Sequence, residues 1–121
     1  MESKKLIGRA GESEAAGYLK KKKYRIVGMN YACRFGEIDL IAEDREHVVF
    51  VEVKRRRDAR FAEAREYVTA AKQRRLAMTA ALWLAANPTE KQPRFDVIEI
   101  YASDGGFRSI RHIVNAFEVE L

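Results

Sequence analysis

The chain of 121 residues contains one cysteine, Cys33, and only two prolines. A single cysteine cannot form an intramolecular disulfide, and together with His47 and His112 it matches no zinc-binding spacing. We therefore interpret Cys33 as a small, half-buried apolar residue. No stretch approaches the about 20 apolar residues of a membrane span. The N-terminus also lacks an apolar segment of signal-peptide length, so we expect a soluble, cytoplasmic protein.

The sequence also lacks the motifs of several common protein classes. It contains neither a P-loop nor a Gly-x-Gly-x-x-Gly motif, so no nucleotide cofactor is indicated. We find no internal repeat and no low-complexity linker. Hydrophobic residues make up 47% of the chain, which is enough for a core. We therefore expect a single domain over residues 1–121.

Positive charge is concentrated in the middle of the chain. Residues 20–75 carry sixteen basic and nine acidic side chains, a balance of +7, whereas residues 1–19 balance to zero and residues 76–121 to −2. Three dense basic blocks lie at residues 20–23, 54–57 and 72–75. Clustered Lys and Arg are typical of nucleic-acid binding, although a solvated surface is the simpler alternative.

Hydrophobic periodicity predicts the order α-β-β-β-α-β-β. The first helix covers residues 5–23 and is followed by strands at 24–33, 37–42 and 47–54 with short connections. A second helix covers residues 64–86, and strands at 94–101 and 107–114 follow it. The first three strands form an antiparallel meander, and the second helix allows strands three and four to run parallel. The fold class is therefore α/β, with a mixed sheet flanked by helices.

Glu52 and Lys54 end an apolar run on the third predicted strand. Side chains alternate along a strand, so both charges share a face with Val48 and Phe50, while the intervening valines form the opposite face. On the second strand, Asp39 alternates with aliphatic residues in the same way.

The loop between these strands decides whether the acidic faces match. A four-residue loop over residues 44–47 pairs Glu43 with Val48 and Asp39 with Glu52. A two-residue loop pairs Glu37 with Glu52 instead. Both even-length loops place Asp39 and Glu52 on one face, whereas an odd loop without a bulge would separate them. We also expect Ile38, Leu40 and Ala42 to share the face of the valines.

Opposed carboxylates on neighbouring strands need a counter-ion. Lys54 supplies one positive charge, and Mg²⁺ (or Mn²⁺) held by Asp39 and Glu52 with water and a substrate phosphate would supply the rest. Such a metal activates water and stabilises charge on a phosphate. Lys54 would orient or deprotonate that water, or stabilise the developing charge. The simpler alternative is a surface salt bridge at a strand end.

Six motifs follow in order along nearly the whole chain. They are Gly11-Glu12, Gly36-Glu37-Ile38-Asp39-Leu40-Ile41-Ala42, Phe50-Val51-Glu52-Val53-Lys54, Lys72-Gln73-Arg74-Arg75-Leu76, Arg94-Phe95-Asp96-Val97-Ile98 and His112-Ile113-Val114-Asn115-Ala116-Phe117. In this the chain resembles the YraN family of bacterial endonuclease-like proteins. That family is similar to the PD-(D/E)XK nuclease superfamily and to archaeal Holliday-junction resolvases.

The resemblance implies a restriction-endonuclease-like fold and a metal-dependent phosphodiesterase site. In that site Asp39 and Glu52 are the Mg²⁺ ligands, Lys54 is the catalytic lysine, and Glu12 is a further acidic residue on the first helix. A resolvase-like enzyme acts at two sites and one chain holds one, so the resemblance also suggests a homodimer.

The leading hypothesis is therefore a Mg²⁺-dependent DNA endonuclease, with branched or structured DNA as its substrate. The alternatives are a nucleic-acid-binding module with a vestigial nuclease site and an adaptor that binds acidic partner proteins. For the nucleic-acid contacts we name residues of the second and third basic blocks: Arg55, Arg56, Arg57, Lys72, Gln73, Arg74 and Arg75.

Overall fold

The computed structural model describes residues 4–56, 68–102 and 108–121, which form helices and strands in the predicted order. These elements are α1 (Lys4–Lys21), β1 (Arg25–Cys33), β2 (Gly36–Glu43), β3 (His47–Arg56), α2 (Ala70–Ala86), β4 (Gln92–Ala102) and β5 (Arg108–Phe117). Within the described residues, neither helix is long and apolar enough to span a bilayer.

The five strands form one mixed sheet in the order β1-β2-β3-β4-β5. The pairs β1–β2, β2–β3 and β4–β5 are antiparallel, and β3–β4 is parallel. The parallel pair is joined through the segment that contains α2, because parallel neighbours need a long crossover. The predicted α/β class and mixed sheet flanked by helices are confirmed.

The two helices cover opposite faces of the sheet. Val49 and Val51 pack with Leu19 of α1, whereas Val48 and Phe50 pack with Leu76 of α2. Since neighbouring residues on β3 alternate between the two clusters, β3 is buried on both sides. This explains why its apolar run is continuous rather than alternating.

Helix α2 begins later than the sequence pattern predicts. It starts at Ala70, and the hydroxyl of Thr69 accepts a hydrogen bond from the backbone N–H of Lys72 at 3.2 Å. This N-cap satisfies one of the free donors at the helix start and fixes the boundary. Residues 64–67, which the prediction included in the helix, lie outside the described residues.

The register of the β2–β3 hairpin agrees with the four-residue loop. Glu43 pairs with Val48, and the pairing continues to Leu40 and Val51. Carried one residue further, the same register sets Asp39 opposite Glu52.

The predicted position of Ile38 is wrong. It packs with the α2-side cluster rather than with Leu40 and Ala42 on the α1 side. On β1, Asn30 has a left-handed φ of 53° and lies between Met29 and Tyr31, which pair with Leu40 and Ile38. A residue in this conformation interrupts the regular alternation of side chains, which fits the change of face between Leu40 and Ile38.

A buried ionic cluster joins β4 to β5. The carboxylate of Asp96 accepts hydrogen bonds from Arg94 Nε and Nη2 at 2.8 and 2.9 Å and from the backbone N–H of Asn115 at 3.0 Å. His112 Nε2 lies 2.6 Å from Asp96 Oδ2, which makes His112 a half-buried histidine with a hydrogen-bond partner. Burial raises the pKa of Asp96, but His112, Arg94 and Asn115 together outweigh burial and hold it below its usual value.

Candidate metal and nucleic-acid site

The carboxylate of Glu52 is paired with two lysines near the C-terminal end of β3. Lys54 Nζ lies 3.3 Å from Glu52 Oε1, and Lys72 Nζ contacts the same oxygen from the first turn of α2. The Glu52 side chain is only 9% exposed, so these partners offset the cost of burying its charge. Burial lowers the pKa of Lys72, but the hydrogen bond and charge of Glu52 outweigh it and raise that pKa above its usual value.

Asp39 faces the same end of β3 from the neighbouring strand. Its Oδ2 accepts a hydrogen bond from the backbone N–H of Val53 at 2.8 Å. Burial and the negative charge of Glu52, with smaller effects from Glu12 and Glu37, raise the pKa of Asp39 from 3.8 to about 7. The negative charges of Asp39 and Glu52 therefore repel each other, and an additional positive charge beside them would be favourable.

The middle of α1 lies close to the end of β3, and the absence of a side chain at Gly11 permits this approach. A Cβ atom at Gly11 would lie 2.9 Å from Cδ of Arg55, closer than such atoms normally approach. Glu12, the next residue, is buried, and its charge contributes to the raised pKa of Asp39. The structure thus brings Glu12 toward the predicted site from the α1 side.

Asp39 and Glu52 fit Mg²⁺ as a site with two protein ligands. Mg²⁺ is usually held by one or two carboxylates, with waters and substrate phosphate completing its coordination. Burial and the negative charge of Glu52 together raise the pKa of Asp39, and a divalent cation beside the two carboxylates would offset both effects. Within residues 4–56, 68–102 and 108–121, no three His, Cys, Asp or Glu side chains are grouped so that they could hold a metal ion. Water and substrate oxygens are therefore required in such a site.

Two of the three basic blocks each contribute one lysine to this site, Lys54 from β3 and Lys72 from α2. Arg55 and Arg56 continue β3 beyond Lys54 and are half-buried, while Arg74 and Arg75 lie exposed on α2, close to Lys72 in sequence. The other two predicted contacts differ. Gln73 donates its side-chain N–H to the carbonyl of Val68 at 2.9 Å, and Arg57 lies outside the described residues.

The block at residues 20–23 lies at the other end of the sheet. It leads into β1, whose first residue, Arg25, pairs with Glu43 beside the β2–β3 turn. Lys54 is at the opposite end of β3. The three blocks therefore do not all surround the carboxylates, although they flank the acidic motifs along the sequence.

Glu99 is a buried carboxylate that the sequence argument missed. It is 0% exposed and lies beside Lys54 in the β3–β4 register. The hydroxyl of Tyr101 donates to Glu99 Oε2, and Arg111 Nη1 lies 3.7 Å from Oε1. The available signal was an acidic residue inside the apolar run at residues 97–100 of β4. Glu99 thus places a buried carboxyl group between Lys54 and Arg111 in the sheet register.

A groove of about 840 Å³ lies away from these residues, between the start of β4 and the end of β5. Its walls include Phe95, Val114, Phe117 and Leu121. Arg94 also lines it, but its guanidinium is engaged by the carboxylate of Asp96. We therefore assign the candidate site to the Asp39–Glu52 cluster, where lysines and carboxylates meet.

The fold and this cluster define a mixed α/β protein with charged residues at one end of a buried strand. Residues 11–100 match the model of the uncharacterised protein family UPF0102, and the chain belongs to this family. It is the YraN-type family that the sequence resembles.

Relatives from several bacteria match almost end to end. The UPF0102 protein STH1475 of Symbiobacterium thermophilum is 51% identical over 112 residues, covering 92% of this chain and 95% of the relative. The UPF0102 protein TTE1452 of Caldanaerobacter subterraneus is 42% identical over 118 residues, covering 95% and 97%. The UPF0102 protein GSU0650 of Geobacter sulfurreducens is 42% identical over 116 residues, covering 95% and 91%.

Proposed function

We propose that this protein is a Mg²⁺-dependent DNA endonuclease of the PD-(D/E)XK type that hydrolyses phosphodiester bonds. The observation that carries the proposal is the meeting of Asp39 and Glu52 with two lysines at the end of β3. Burying this many charges is costly, and a metal together with a phosphate substrate would balance them. The arginines around the site add a surface suited to the DNA backbone.

The proposed roles follow from the positions of the side chains. Asp39 and Glu52 would hold Mg²⁺. Glu12 would be a further acidic residue of the site, contributed by α1. A bound Mg²⁺ would supply polarisation of the phosphate and an activated water. Lys54, beside Glu52, would orient that water or stabilise charge on the phosphate oxygens. Arg55, Arg56, Arg74 and Arg75 would contact backbone phosphates, which position DNA without reading its sequence.

Branched or structured DNA is the proposed substrate. Cutting both strands of such DNA requires two active sites, and each chain holds one, so the proposed active species is a homodimer. Symmetric pairs are also the commonest oligomers. Size-exclusion chromatography with light scattering, with and without DNA, would measure the number of chains in the active species.

Cleavage is tested with purified protein, Mg²⁺ or Mn²⁺, and matched single-stranded, duplex and four-way-junction DNA. Asp39→Asn, Glu52→Gln and Lys54→Met should each lower the rate by about a hundredfold or more. Lys91→Met is the matched control, since Lys91 pairs with Glu43 at the other end of the sheet, with Nζ 3.4 Å from Oε2. It should cleave like the wild type.

Absence of cleavage on every substrate would reject the proposal. If DNA binding persisted, steeply dependent on salt and unaffected by Asp39→Asn, the protein would be a non-catalytic binding module.

A further inference from the structure

Two ammonium groups share one oxygen of Glu52, and they reach it from different elements. Lys54 is two residues away on the same strand, so its position follows from the backbone of β3. Lys72 comes from α2, twenty residues further along the chain. Asp39 instead accepts a hydrogen bond from the backbone N–H of Val53. Both lysine ammonium groups of the cluster therefore contact Glu52.

Lys72 can leave Glu52 without moving the helix. Its backbone N–H is held by the N-cap residue Thr69, which fixes the start of α2. Its side chain is 30% exposed, and a lysine has four flexible carbon–carbon bonds between its ammonium and the backbone. The ammonium can therefore turn from Glu52 toward a ligand on the solvent side of the site.

A metal ion and the Lys72 ammonium compete for the same oxygen. The ammonium hydrogen bond uses Oε1 of Glu52, which a metal would also use. Two positive charges within about 4 Å repel each other strongly enough in a partly buried site to change an affinity by about tenfold or more. A phosphate oxygen of DNA offers the displaced ammonium a new charge-assisted hydrogen bond.

We propose that Lys72 occupies the cation position on Glu52 in the DNA-free protein and moves to a DNA phosphate when metal binds. Lys72 is thus a positioning residue that couples metal binding to nucleic-acid binding, an inference that rests on the proposed function. Metal alone must displace an ion pair, whereas metal and DNA together provide Lys72 with a replacement partner. By thermodynamic linkage, each ligand then strengthens binding of the other by the same factor.

The first test measures Mn²⁺ binding to the DNA-free protein by electron paramagnetic resonance, for wild type, Lys72→Met and Lys91→Met. Lys91 is a close match for Lys72, because it is 31% exposed and also pairs with a glutamate. Lys72→Met should bind Mn²⁺ about tenfold more tightly than wild type, and Lys91→Met should equal wild type. Lys72→Gln provides a second, polar variant, and circular dichroism confirms folding of each protein.

The second test measures binding of fluorescently labelled, phosphorothioate-linked four-way-junction DNA by anisotropy, with and without Mn²⁺. Mn²⁺ should strengthen binding to wild type and to Lys91→Met by a larger factor than binding to Lys72→Met. A structural role for Lys72 would lower stability but would not tighten the metal site.

The outcomes separate this inference from the proposed function. Equal or weaker Mn²⁺ binding by Lys72→Met and Lys72→Gln, with a wild type that still binds Mn²⁺ and cleaves DNA, overturns the role of Lys72 alone. Tighter Mn²⁺ binding by both variants, without cleavage by wild type, supports the role of Lys72 and counts against the nuclease. If no variant binds Mn²⁺, both proposals are wrong.

Discussion

Replacing Asp39 by asparagine is expected to stabilise the fold near neutral pH while removing the proposed activity. Asparagine is nearly isosteric with aspartic acid, and its carbonyl oxygen can still accept the hydrogen bond from Val53 N–H. The substitution removes only the negative charge beside Glu52. The difference in stability between the wild type and Asp39→Asn therefore measures the free-energy cost of ionising Asp39 in the folded protein.

The magnitude follows from the pKa of Asp39, which burial and Glu52 raise from 3.8 to about 7. Below about pH 4 the group is protonated in both the folded and the unfolded chain. Between about pH 4 and 7 only the unfolded chain loses the proton, so the free energy of unfolding falls by about 1.4 kcal/mol per pH unit. Above about pH 7 both states are ionised, and the loss stays constant at no more than about 4 kcal/mol.

Urea unfolding of wild type and Asp39→Asn at about pH 4 and about pH 8 measures this difference. The two proteins should be similar in stability at the lower pH, and Asp39→Asn should be the more stable at the higher pH by up to about 4 kcal/mol. Asp44→Asn is the matched control on the same hairpin. Burial raises the pKa of Asp44, but hydrogen bonds from the backbone N–H groups of Glu46 and His47 outweigh it and lower that pKa. This substitution should therefore destabilise the protein at the higher pH.

Metal provides the second half of this prediction. At a hundredfold excess over its dissociation constant, Mn²⁺ should stabilise the wild type by about 2.7 kcal/mol. Asp39→Asn, which lacks one proposed ligand, should gain far less. The reasoning would be refuted by a stability difference between the two proteins that does not change between the two pH values, or by equal stabilisation by Mn²⁺.

Three further substitutions test other contacts. Asp96→Ala removes the buried carboxylate that accepts hydrogen bonds from Arg94 and from the backbone N–H of Asn115 and contacts His112, so urea unfolding should show a loss of about 3–5 kcal/mol. Because the pKa of Asp96 is lowered, its contribution is present above the ordinary carboxyl pKa and lost as the pH falls, and a loss that persists unchanged in acid would contradict this. Thr69→Ala should cost about 1 kcal/mol through the lost N-cap, with Thr69→Ser close to wild type. Gly11→Ala should displace the stem of Arg55 and weaken DNA binding, and adding Arg55→Ala should weaken it little further; additive losses would disprove the coupling.

The pairing of β2 with β3 could be predicted because it depends on local rules. The turn length between Glu43 and Val48 sets the register, and the two-residue period of a strand then sets the face of every later side chain. The same rules predict that Asp39 lies opposite Glu52. They failed at Ile38, where the left-handed conformation of Asn30 accompanies a change of face that the sequence pattern did not indicate.

The sequence by itself determined the element order, the mixed sheet and the carboxylate–lysine cluster on β2 and β3, because periodicity and turn length are properties of neighbouring residues. Only the tertiary structure decided which distant residues join that cluster. Packing of Leu76 with Phe50 holds α2 where Lys72 reaches Glu52. The close approach at Gly11 brings α1 to the end of β3. Contacts between separate elements depend on how their apolar faces pack. The spacing of residues along the chain does not determine this packing.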